Sequence, residues 1–154
     1  MSNFTKKQLG KWELIYDELI FGIKLPLKES NSWFLGDKHG IIAIFNEDEI
    51  LYVLGTENIG KTINNIIKGI NVGDFRKMLA IVEFNLSGNN IESKILKGTL
   101  ATKIDKKIST FSFSISQAPK QHLKRLSEAF NVVSDSTYGG PTVKSNISID
   151  SLPS

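Results

Sequence analysis

Two short apolar runs with a polar turn between them constrain this chain more than any other feature. The first is Gly40-Ile41-Ile42-Ala43-Ile44-Phe45 and the second is Ile50-Leu51-Tyr52-Val53-Leu54. Asn46-Glu47-Asp48-Glu49 separates them, and Gly55 follows. Short runs rich in β-branched and aromatic residues, joined by turn-formers, predict a β-hairpin. From Asn58 the period changes. Ile59, Ile63, Ile66, Ile67 and Ile70 follow the stripe of a helix that lays one face on a sheet.

The flanking segments extend this pattern. Leu9, Trp12, Tyr16, Leu19 and Ile20 predict an amphipathic helix over 5–23 with Thr5 as N-cap, closed by Pro26 and the segment Lys28 to Ser32. Residues 77–84 read as a third, largely buried strand. Residues 91–104 read as a second covering helix through Ile91, Ile95, Leu96 and Leu100. Phe111, Phe113 and Ile115 alternate with Ser112, Ser114 and Ser116, the pattern of a half-buried strand with a hydroxyl face. Pro119 opens a last helix through about Phe130. The expected fold class is α+β: a small sheet built on the hairpin and covered by helices. Residues 1–24 form an N-terminal helical segment and 25–133 the main domain. Residues 134–154, rich in Ser, Gly and Pro, are expected to form a flexible tail or to order on a partner.

Composition narrows the chemistry. The 154 residues suit one domain. There is no Cys, which removes disulfides, thiol nucleophiles, thiolate zinc sites and iron–sulfur clusters. The two His leave a multi-histidine metal site without ligands. Carboxylates could still hold Mg²⁺. No uncharged apolar run approaches the ~20 residues of a membrane span. The polar start lacks a secretory leader pattern, so an intracellular, cytoplasmic protein is expected. The net charge is +3, from seventeen Lys and two Arg against 16 acidic residues. Mild basicity permits a nucleic-acid partner, while scarce Arg leaves few groups for bidentate phosphate binding.

Two motifs compete for one stretch. Gly55-Thr56-Glu57-Asn58-Ile59-Gly60-Lys61-Thr62 fits the P-loop pattern G-x-x-x-x-G-K-[ST] between a strand and a helix. Nucleotide binding at 55–62 would place Lys61 on phosphate oxygens and Thr62 on Mg²⁺. Thr102-Lys103-Ile104-Asp105 is similar to a guanine-specificity motif. Against this, the preceding strand is the second arm of an antiparallel hairpin, whereas a P-loop strand lies in a parallel sheet.

The second motif joins the hairpin to its helix. Gly40-Ile41-Ile42 is followed ten residues later by Tyr52-Val53-Leu54-Gly55-Thr56-Glu57-Asn58-Ile59-Gly60-Lys61-Thr62. Over roughly residues 25–105 the chain resembles the GIY-YIG nuclease domain, with Tyr52, Val53, Thr56, Asn58 and Ile59 in register. The resemblance implies phosphodiester cleavage with one divalent cation, a carboxylate on the metal, tyrosine hydroxyls near the water and an Arg on the phosphate. Glu92 stands where the metal ligand would lie, making Mg²⁺ the cofactor of an active form.

The sequence departs from the family at decisive positions. Ile42 replaces the first tyrosine, Leu54 a glycine and Thr62 the arginine. Losing one preorganised transition-state donor commonly costs ~10²–10³ in rate. The expected function is therefore that of a catalytically eroded GIY-YIG-like domain binding DNA or a protein partner. Small, Cys-free, Lys-rich chains of this kind suit phage or mobile-element factors. Lys61, Lys68, Arg76, Lys77, Lys103, Lys106 and Lys107 are the candidate nucleic-acid contacts. The alternative is an active Mg²⁺-dependent endonuclease with Tyr52 near the water, Glu92 on the metal and Lys61 in place of Arg.

Overall fold

The computed structural model describes residues 5–32, 35–69, 75–84 and 98–138. A 3-10 segment, Lys6–Trp12, leads into α1 (Glu13–Phe21). Then come β1 (Leu25–Pro26), α2 (Glu29–Ser32), the hairpin strands β2 (Gly40–Asn46) and β3 (Glu49–Thr56), and α3 (Ile59–Lys68). Next are α4 (Phe75–Phe84), α5 (Gly98–Ile108), β4 (Ser112–Ser116), a 3-10 turn Lys120–His122 and α6 (Leu123–Ser134). The sheet order is β1-β4-β2-β3, antiparallel throughout. The α+β class is as expected.

The hairpin closes through Glu47-Asp48, with Asn46 opposite Glu49 and Glu47 at φ 56°. Tyr52 pairs with Ile44 and Ile50 with Phe45, so Leu51 is the extra residue of a bulge. The helices lie on both faces of the sheet. Ile42, Ile44, Leu51 and Phe113 pack with Ile59, Ile63 and Ile66 of α3, Phe75 and Leu79 of α4, and Ile104 and Ile108 of α5. Ile41, Ala43, Phe45 and Val53 face the other way, against Trp12, Tyr16 and Leu19, and against Leu123, Leu126 and Phe130 of α6. This gives three layers, with the sheet in the middle and β2 a buried inner strand.

Four expectations are corrected. Residues 77–84 belong to helix α4. Phe75, Arg76, Leu79 and Ala80 are its buried positions, a spacing that lines one helix face. The helix expected over 5–23 breaks at Gly10, whose φ of 58° is left-handed. The serine side of β4 is covered by α1. Ser114 is buried and its hydroxyl donates to Leu19 O at 2.6 Å. Leu19 O is one of the last four carbonyls of α1, which have no partner inside the helix. Residues 134–138 are packed rather than loose. Asp135 caps α6 in the left-handed region. Thr137 N–H donates to Ile50 O at 3.2 Å and Tyr138 N–H to Leu51 O at 2.7 Å. Tyr138 is 1% exposed, its ring 5.6 Å from that of Phe75. Residues 139–154, most of the expected tail, lie outside the described residues, as do 91–97 of the expected second helix.

Candidate functional site

A P-loop needs unoccupied backbone N–H groups at its helix start. At the start of α3 they are taken. Ile59 N–H donates to Lys38 O at 2.8 Å and Gly60 N–H to Gly36 O at 3.2 Å. Lys61 N–H donates to Asn58 Oδ1 at 3.0 Å. Thr62 N–H donates to Asn58 O at 3.0 Å. Asn58 is an N-cap. The glycines have packing reasons. A Cβ on Gly60 would stand 2.7 Å from Gly36 O and 2.8 Å from Ser32 O, and one on Gly55 would stand 2.8 Å from Leu123 Cβ. The hydroxyls of Thr62 and Thr56 share a hydrogen bond at 2.6 Å. β3 is also an edge of an antiparallel sheet. Residues 55–62 thus cap a helix and allow close packing. Thr102 to Asp105 lies within α5, with Ile104 in the core and Asp105 on Arg76.

The positions in register with the nuclease motif are dispersed. Ile42, where the first tyrosine would stand, is 0% exposed beneath the helical layer of α3–α5. Tyr52 lies half-buried on the same face, its ring 6.3 Å from Phe75. Lys61 is exposed on α3. Glu92 lies outside the described residues. Among the described residues no three His, Cys, Asp or Glu side chains form a group able to hold a metal ion. The described motif positions offer little to a phosphodiester or its attacking water. Ile42 has no oxygen, Thr62's hydroxyl is engaged, and the Tyr52 ring packs against the core.

The candidate phosphate contacts fare differently. All seven fall on α3, α4 and α5, which together carry seven basic and two acidic residues, Glu83 and Asp105. These helices form the layer on one face of the sheet. Lys61, Lys68, Lys103 and Lys106 are exposed, and Lys77 and Lys107 half-buried. Lys68 pairs with Glu29 at 3.1 Å. Lys61, Lys103, Lys106 and Lys107 have no carboxylate within ion-pair distance among the described residues. Lys106 and Lys107 also sit in the last turn of α5, where cations favour the helix dipole.

Arg76 drops out of the set. It is 2% exposed. Its Nε and Nη2 donate to Ile66 O at 3.2 and 3.0 Å, and Nη2 donates to Ile67 O at 2.9 Å. Nη2 also pairs with Asp105 Oδ1 at 2.7 Å. Its job is to hold the carbonyl end of α3, beside the left-handed cap Gly69.

Two features of β3 are not apparent from the sequence pattern. Asn131 of α6 gives its side-chain amide to the strand edge. Val53 N–H donates to Oδ1 at 2.9 Å, and Nδ2 donates to Val53 O at 2.7 Å. Beyond this contact a groove of roughly 470 Å³ opens between β3 and the start of α6, lined by Gly55, Glu57, Lys120, Lys124 and Glu128 among others. The Lys120/Lys124 and Lys124/Glu128 spacings of four are the only local signal for that wall.

Comparison with known proteins gives no matching family model, no similar curated protein and no similar solved structure.

Proposed function

We propose that this chain is a non-catalytic nucleic-acid-binding domain. It holds the phosphate backbone through the lysines of α3, α4 and α5, on a GIY-YIG-like hairpin-and-helix unit that has lost its cleavage chemistry. The observation that carries the reading is segregation of charge: with Arg76 buried, six lysines, four of them exposed and two half-buried, stand against two acidic residues on one helical layer of a chain whose net charge is +3. Surface Lys offers a mobile point charge, so contacts of this kind read charge and not sequence. The nuclease alternative is disfavoured by the buried Ile42 and the occupied Thr62.

Fluorescence anisotropy of a short labelled DNA duplex tests the proposal. Four phosphate contacts predict a loss of ~10²-fold in affinity between about 50 and 200 mM salt. Lys61→Glu/Lys103→Glu/Lys106→Glu abolishes binding with unfolding unchanged. Affinity that ignores salt, or that survives the triple variant, refutes it. Plasmid nicking with Mg²⁺ or Mn²⁺ is expected to show no turnover. Robust cleavage lost in Glu92→Ala would establish the nuclease alternative instead.

A further inference from the structure

The open end of the β3 edge, with the charged groove beside it, is the part of the molecule that the proposed function leaves unused. β3 is an outer strand of the sheet. An outer strand presents unpaired N–H and C=O groups that recruit another strand unless they are covered. Most of this edge is covered from within the chain. Ile50 O and Leu51 O accept from Thr137 and Tyr138, and both backbone groups of Val53 are held by Asn131.

Among the described residues the cover stops there. In an antiparallel ladder alternate residues point their backbone groups outward. Val53 points outward, so Gly55 does too, and its N–H and C=O take no partner among the described residues. Gly55 also lines the groove, with the Leu123 backbone packed against one side of it.

The groove walls carry two lysines, Lys120 and Lys124, and two glutamates, Glu57 and Glu128. Balanced charge of this kind does not suit a polyanion. It suits a surface that must match itself, because a two-fold interface sets each patch against its own copy. An ion pair crosses the groove, Lys120 to Glu57 at 3.3 Å, and joins side chains that are 62% and 71% exposed. Exposed pairs contribute little, so exchanging partners costs little.

We propose that the groove is a self-association surface. A second copy adds its β3 antiparallel across a two-fold axis at Gly55, with Lys120 and Lys124 of one copy meeting Glu57 and Glu128 of the other. The Asn131 contact limits pairing to the Gly55 end of the strand, which fixes the register.

Sedimentation equilibrium of the full chain tests this with two surface variants, Lys120→Glu/Lys124→Glu and Glu57→Lys/Glu128→Lys. Wild type is expected to dimerise with concentration. Each variant alone repels its own copy and dimerises at least ~10-fold more weakly, while an equimolar mixture recovers a heterodimer. Thermal unfolding followed by circular dichroism confirms that both variants fold. Hydrogen exchange at the Gly55 amide slows as protein concentration rises. A wild type that stays monomeric at all concentrations overturns the proposal. So does a dimer indifferent to the charge reversals, because it would use another face.

Discussion

Replacing Arg76 with Met separates a structural guanidinium from a phosphate-binding one. Arg76 is 2% exposed and supplies hydrogen bonds to two carbonyls, Ile66 O and Ile67 O, at the end of α3. Each carbonyl that loses a charged donor costs ~1–3 kcal/mol. The partner Asp105 keeps a side chain 58% exposed, so water takes over there and the lost pair adds at most ~1 kcal/mol. Met roughly fills the aliphatic volume and limits the cavity. The sum is ~2–7 kcal/mol, a large share of the ~5–15 kcal/mol that holds a domain of this size. Asp105→Asn should cost under ~1 kcal/mol for the same reason of exposure. Arg76→Lys should fall between, since one ammonium cannot reproduce the planar fork. Urea denaturation followed by tryptophan fluorescence reads all three. A loss below ~1 kcal/mol for Arg76→Met would refute the capping role. Unchanged stability with weakened DNA binding would return Arg76 to the interface.

Asn131→Ala leaves both backbone groups of Val53 without their partner and should cost ~2–4 kcal/mol, with faster hydrogen exchange at the Val53 amide as the local readout. Gly60→Ala drives a Cβ to 2.7 Å from Gly36 O and 2.8 Å from Ser32 O. It should destabilise by ~1–3 kcal/mol, whereas Lys61→Ala, at an exposed position, should stay within ~0.5 kcal/mol. Both effects belong in a thermal-shift assay, and an ATP or GTP titration should leave wild type unmoved. Burial, then the bond from its hydroxyl to Glu83 Oε1 at 2.9 Å, raises the Tyr138 pKa well above its ordinary value. The folded chain therefore keeps this proton after the unfolded chain has lost it. Its contribution is complete below pH ~10 and declines by up to ~1.4 kcal/mol per pH unit above that. Tyr138→Phe should flatten that alkaline decline, and an unchanged slope would contradict the assignment.

The sequence revealed the hairpin because turn residues and two β-rich runs coincide, and α3 because Ile59, Ile63 and Ile66 keep one face. It misled at 77–84, where Met78 to Val82 is an unbroken apolar run. Periodicity cannot separate a buried strand from a buried helix in so short a window. The deciding residues, Phe75 and Arg76, lay just upstream. Ser114 looked solvated because alternation reports polarity and not cover, and the group it satisfies, Leu19 O, lies 95 residues away in sequence. Asn131 was opaque for the same reason. Its partner Val53 is 78 residues away, and nothing local marks an amide that stands in for a strand. The basic set was legible as a surface because Lys61, Lys103 and Lys106 recur on exposed helix positions. Arg76 was not, because a buried cation is distinguished only by the carbonyls it meets.

The lysine face and the groove lie on different parts of the fold, and the proposed self-association would couple them. Antiparallel pairing of β3 with its copy places the two-fold axis perpendicular to the sheet. Both α3–α5 layers then lie on the same side of one continuous sheet, and the exposed Lys61, Lys68, Lys103 and Lys106 of each copy lie on that side. A polyanion long enough to reach both copies engages the second one intramolecularly, a gain of ~10²–10⁴ in avidity without any new contact. Binding of a long duplex should therefore weaken by about that factor in Lys120→Glu/Lys124→Glu. Binding of a duplex too short to span two copies should change far less. Adding Glu57→Lys/Glu128→Lys protein in equal amount should restore the long-duplex affinity, which a direct phosphate contact by Lys120 or Lys124 would not predict. Equal losses on long and short duplexes, with no recovery on mixing, would show that these lysines contact phosphate themselves and that the groove plays no part in assembly.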